Sequence, residues 1–67
     1  MNAYNLENVR VNVFDFDEDV RVCQYHTNDE EVAKALFDTF KMFEIEMWDD
    51  GRYGSGYTYD IIIYINK

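Results

Sequence analysis

Residues 27–40 read TNDEEVAKALFDTF, and this stretch decides the fold. Val32, Leu36 and Phe40 recur one helical turn apart, Ala33 and Phe37 widen the stripe, and Phe43 extends it. That spacing puts apolar side chains on one face of an α-helix. Thr27 followed three residues later by Glu30 fits a capping box, and Asn28 with Glu31 fits equally well. Acids in the first turn complement the positive end of the helix dipole.

On both sides of this helix the period drops from 3.6 to two. Val9, Val11 and Val13 alternate with Arg10, Asn12 and Phe14, which predicts a strand. The alternation slips at Phe14 and Phe16, as at a bulge. Asp17-Glu18-Asp19 reads as a turn. Val20 to Tyr25 then reads as a second strand, with Val20 and Val22 on one face and Arg21, Cys23 and Tyr25 on the other. After the helix, Phe43, Ile45 and Met47 alternate with Glu44, Glu46 and Trp48, which predicts a strand over 43–49. A helical stripe running on to Met47 fits these residues too. Residues 50–56 hold all three glycines and read as a loop. Tyr57 to Asn66 is rich in Ile and Tyr, both good strand formers. Tyr59, Ile61, Ile63 and Ile65 share one face of it, and Thr58, Asp60, Ile62 and Tyr64 the other.

The expected fold is α+β: a small ββαββ domain spanning 1–67, with a four-stranded antiparallel sheet and one helix packed on one face. The helix is expected to cover Val9, Val11, Val13, Val20, Val22, Ile45, Ile61 and Ile63. The outer face would then carry Phe14, Cys23, Tyr25, Trp48, Ile62 and Tyr64 along with Arg10, Arg21, Glu44, Glu46 and Asp60. Strand order is left open by the sequence.

Composition narrows the function. The 67 residues allow one domain, and a chain this short buries only about 60% of its unfolded surface. Six Lys and Arg face fourteen Asp and Glu, for a net charge of −8. Direct binding to nucleic acid or to an anionic membrane needs the opposite sign. An aromatic share of 18% argues against a disordered acidic chain. No apolar run is long enough to span a membrane. Met1 to Arg10 contains no stretch resembling a signal peptide, so a cytoplasmic location is expected. Cys23 is the lone cysteine, so no internal disulfide can brace the core.

The familiar chemical motifs fail in detail. Asp15-x-Asp17-x-Asp19 imitates the start of a calcium loop, but Val20 replaces the required glycine and His26 the closing glutamate. Cys23-x-x-His26 offers two metal ligands where zinc wants three or four, and a strand points them to opposite faces. Ser55, the only serine, sits in a glycine loop far along the chain from His26. The glycine loop lacks the lysine of a phosphate loop. Neither a metal nor a cofactor is expected, and the chain reads as a non-enzyme.

The acids are unevenly spread. Asp15, Asp17, Glu18, Asp19, Asp29, Glu30 and Glu31 fall in one window opposed only by Arg21. The two halves of that window belong at opposite ends of the first hairpin, with Asp49 and Asp50 beside Asp29, Glu30 and Glu31. An apolar, aromatic outer face rimmed by charge marks a protein interface. The candidate partner-binding residues are therefore these acids, Glu44 and Glu46, with Tyr25, Trp48 and Tyr64 as anchors.

In size, acidity, lack of cysteine bridges and aromatic richness, the whole chain resembles small phage-encoded inhibitors: anti-CRISPR proteins and inhibitors of uracil-DNA glycosylase. No residue motif carries this resemblance, so it assigns no residue a role. It implies a DNA mimic that acts in a host cytoplasm on a basic nucleic-acid-binding protein, such as a nuclease or repair enzyme. The alternative expectation is an assembly module that homodimerises through the aromatic outer face.

Overall fold

The computed structural model describes residues 8–67. The reading of residues 1–10 as lacking a leader peptide lies, for residues 1–7, outside the described residues. The elements are β1 (Val9–Asp15), β2 (Val20–Thr27), α1 (Glu30–Thr39), β3 (Glu44–Trp48) and β4 (Tyr59–Asn66). This is the expected α+β domain in ββαββ order. All strand pairs are antiparallel, and the sheet order is β1-β2-β4-β3.

Ile61, Ile62 and Ile63 explain why β4 lies inside the sheet. Successive strand residues point to opposite faces, and all three isoleucines are buried. A strand buried on both faces needs a layer on each side and a neighbour on each edge. Helix α1 lies against β4 and β2 on one face. There Ala33 is fully buried, and its small side chain allows close approach to Cys23, Ile61 and Ile63. Tyr25, Phe40, Ile45, Met47, Tyr59 and Ile65 ring this cluster. The chain between β3 and β4 covers part of the other face. Its Tyr53 ring meets both Trp48 and His26, and Tyr57 stacks on His26.

The helix begins one or two residues later than either capping box predicts. Asp29 is the N-cap, and its Oδ1 accepts from the amides of Glu31 and Val32. Thr27 and Asn28 are used elsewhere. Thr27 Oγ1 accepts from the Asp29 amide, and Asn28 Oδ1 accepts from the Thr58 amide at 2.9 Å. The helix stops at Phe40, whose ring stacks on Tyr25 at 5.7 Å. Residues 44–48 are strand, so the change of period after Phe43 prevails over the helical continuation.

Three expectations are corrected. The first concerns the faces of β2, which are reversed. Cys23 pairs with Ile63 and Tyr25 with Ile61, so both lie under the helix with Arg21 on the same side. Val20 and Val22 lie on the outer face, where Val22 pairs with Phe14 and Tyr64. The faces follow from the register with β4, which sets Cys23 and Tyr25 beside Ile63 and Ile61 and leaves Val20, Val22, Gln24 and His26 on the other side. Second, β1 has no bulge, because it pairs with β2 without a break from Val9 to Asp15. Third, β1 is an edge strand outside the helix footprint. Val11 and Val13 point to the helix side but stay exposed, and Val13 retains 55% of its surface.

Burial predicts the energetics. Ile61→Ala removes a side chain with no exposed surface and should cost about 2–5 kcal/mol. Val13→Ala, on the uncovered edge, should stay within about 0.5 kcal/mol. Urea unfolding of the two variants measures both.

Candidate functional site

The predicted site residues fall into three groups. Asp15, Asp17, Glu18 and Asp19 occupy the β1–β2 turn and its approach. Asp29, Glu30 and Glu31 open the helix at the other end of β2, as expected. Asp49 and Asp50 follow β3 at that same end, where the Gly51 amide donates to the Thr58 carbonyl. Glu44, Glu46 and Trp48 share the outer face of β3, and Tyr64 pairs directly with Glu44. Tyr25 belongs to none of these groups, because it packs under the helix.

Many acids already have structural work. Asp15 binds Arg21 Nε at 2.8 Å and Lys67 Nζ at 3.4 Å. The hydrogen bond from Arg21 holds the Asp15 carboxyl below its ordinary range. Asp17 Oδ1 accepts from the amides of Asp19 and Val20 and so shapes the turn. Asp29 is the helix cap. Glu30 pairs with Lys34 and Asp38 with Lys41. Asp50 takes Arg52 Nε at 2.8 Å, and that bond holds its carboxyl below the usual range. Within the turn group Asp15 and Asp17 are thus engaged, while the Glu18 and Asp19 side chains make no hydrogen bond or ion pair among the described residues.

The β3 group is different. Glu44, Glu46 and Asp49 have no cationic partner among the described residues. Glu44 and Glu46 project from the same face about 6.6 Å apart along the strand. Burial, with Glu46 next to it, raises the Tyr64 phenol above its ordinary 10.0. The phenol stays protonated and donates to Glu46 Oε1 at 3.4 Å. Carboxylates without an ion pair among the described residues therefore stand beside aromatic rings at the rim of the sheet.

A second constellation was not legible as a unit. His26 and Asp60 are cross-strand partners on the outer face, and both are buried. His26 Nδ1 lies 2.6 Å from Asp60 Oδ1. Ser55 Oγ donates a short hydrogen bond to the same oxygen. Asp60 Oδ2 is buried without a hydrogen-bond partner, alone among such side-chain atoms of the described residues. Ser55 and His26 lie far apart in the sequence, and the link between them runs through Asp60. The available signal was an aspartate beside the isoleucine run of β4. The serine binds the carboxylate and not the imidazole, so the arrangement differs from a nucleophile–base pair.

Among the described residues, no group of three or more His, Cys, Asp or Glu side chains could hold a metal ion. No helix among them is long and apolar enough to cross a membrane. No known protein family, curated protein or solved structure matches the chain.

The buried pair generates a stability prediction. His26→Phe keeps a ring between Tyr53 and Tyr57 but leaves Asp60 without its nitrogen donor. It should cost about 3–5 kcal/mol, and adding Asp60→Val should recover most of that loss. Chemical denaturation of parent, single and double variants reads both effects.

Proposed function

We propose that this protein is a small acidic, non-enzymatic inhibitor that occupies the nucleic-acid-binding site of a basic protein. The observation that carries this reading is the β3 rim. Next to Trp48 and Tyr64, Glu44, Glu46 and Asp49 present carboxylates that form no ion pair with a cation of the described residues, although Asp49 feels the charge of Arg52 at longer range. Negative side chains in a row can take the place of phosphates, and long-range attraction speeds encounter with a positively charged groove. Trp48 and Tyr64 supply the desolvated contact that slows dissociation. The net charge of −8 favours a basic target and opposes direct nucleic-acid binding. The compositional likeness to phage-encoded inhibitors supports a host nuclease or repair enzyme as the target, met in the host cytoplasm.

DNA competition tests the reading, with a uracil-DNA glycosylase and an RNA-guided nuclease as probes. The parent should displace DNA from one of them, and less well as salt rises. Reversing Glu44, Glu46 and Asp49 to Lys should weaken displacement by about a hundredfold or more while the fold persists. Undiminished competition by that triple variant would rule out mimicry at this rim.

One observation favours an assembly role as a second reading, through a different surface from the aromatic outer face. The loop after β3 covers part of that face, whereas among the described residues β1 has no strand on its outer edge. Val11, Val13, Phe14 and Phe16 are exposed along it or just beyond it. An open, proline-free edge strand is a template for pairing. An antiparallel copy centred on Asn12 would set Val11 opposite Val13 of its mate. Sedimentation should then show a dimer that Val11→Lys with Val13→Lys converts to monomer. A monomeric parent at all concentrations would end this reading.

A further inference from the structure

Of the six Lys and Arg side chains, five contact a carboxylate: Arg21, Lys34, Lys41, Arg52 and Lys67. Arg10 is the exception among the described residues. In a chain with fourteen acids, a cation without an acid partner is unexpected. Arg10 sits directly across from His26, and Asn12 directly across from Gln24, all on the outer face. These four side chains, with Tyr53 and Ser55 from the loop, line a pocket of about 320 Å³.

The hydrogen bonding inside the pocket is directional. Asn12 Nδ2 donates to Gln24 Oε1, and Gln24 Nε2 donates to the Tyr53 hydroxyl oxygen at 2.8 Å. Ser55 Oγ accepts from the Tyr57 amide and donates to Asp60. The lining oxygens of Gln24, Tyr53 and Ser55 are therefore already accepting. What remains is mostly donors, with Asn12 Oδ1 the one lining side-chain oxygen that accepts no hydrogen bond among the described residues. Tyr53 keeps its own O–H, and Asn12 keeps its second N–H. The Arg10 guanidinium keeps its fork of N–H groups. His26 has Nδ1 committed to Asp60, which leaves Nε2 for the pocket.

From these donors the geometry points to a binding site for a small oxyanion, a carboxylate or phosphate group, held between Arg10 and His26. Arg10 supplies a two-pronged contact to paired oxygens. His26 contributes the ring edge that carries Nε2, while Asp60 holds the opposite ring nitrogen from behind. Tyr53 closes the third side, and its ring is fixed against Trp48 and His26. The buried Asp60 carboxylate thereby gains a role, because it fixes the imidazole orientation that a ligand requires.

The test uses the whole chain and two probes, inorganic phosphate and acetate, each followed by amide and imidazole NMR against sodium chloride of equal ionic strength. Saturable shifts centred on Arg10, His26 and Tyr53 are expected with at least one probe. The probe that binds more tightly identifies the oxyanion geometry. Arg10→Gln, at an exposed edge position, should weaken binding about tenfold or more without unfolding. Tyr53→Phe retains the ring and should weaken binding to a smaller degree. Shifts that merely follow the chloride control, or that survive Arg10→Gln unchanged, overturn the proposal.

Discussion

The structure depends on burying both faces of β4. Three adjacent isoleucines cannot be hidden by one layer, since neighbouring strand residues point opposite ways. The helix covers Ile61 and Ile63, and the outer side must cover Ile62. β4 therefore takes an interior place, β1 and β3 are left at the edges, and the chain after β3 folds back over the sheet. That return brings Ser55 to Asp60 and places Tyr53 and Tyr57 against His26. The polar pocket is thus a by-product of an apolar requirement.

Charge is arranged around this core in two ways. Some carboxylates serve the fold, as Asp29 does at the helix start and Asp17 in the first turn. Others, along β3, form no ion pair among the described residues, and for that reason they carry the functional reading. A net charge of −8 sets the sign of the far field, while position decides which carboxylates remain available. Arg10 inverts the pattern as a cation without an acid partner among the described residues of an acidic molecule.

The helix and the strands were legible because each follows a local period. Val32, Ala33, Leu36 and Phe37 could form one stripe only on a helix, and residues 59–65 could alternate only on a strand. The phase of β2 was not legible from its first residues. Val20 and Val22 are more apolar than their neighbours, yet the pairing of Cys23 and Tyr25 with Ile63 and Ile61 sets the faces. The cap was missed because Thr27, Asn28 and Asp29 are all good cap residues, and bonds to distant partners decide among them. The acid-rich turn looked more available than it is, because Arg21 and Lys67 reach Asp15 only once the strands are paired. The link among Ser55, His26 and Asp60 has no local period at all. It joins residues 34 apart in sequence and exists only after β2 and β4 meet.

The sheet order also bears on biosynthesis. β4, which joins the two halves of the sheet, is the last of the four strands to leave the ribosome. Until it emerges, the helix has only β2 of the first hairpin to pack on, and β3 has no neighbour. Nascent chains halted before Tyr59 would expose the valines of the first hairpin and the apolar stripe of the helix together, which makes them natural clients for chaperones.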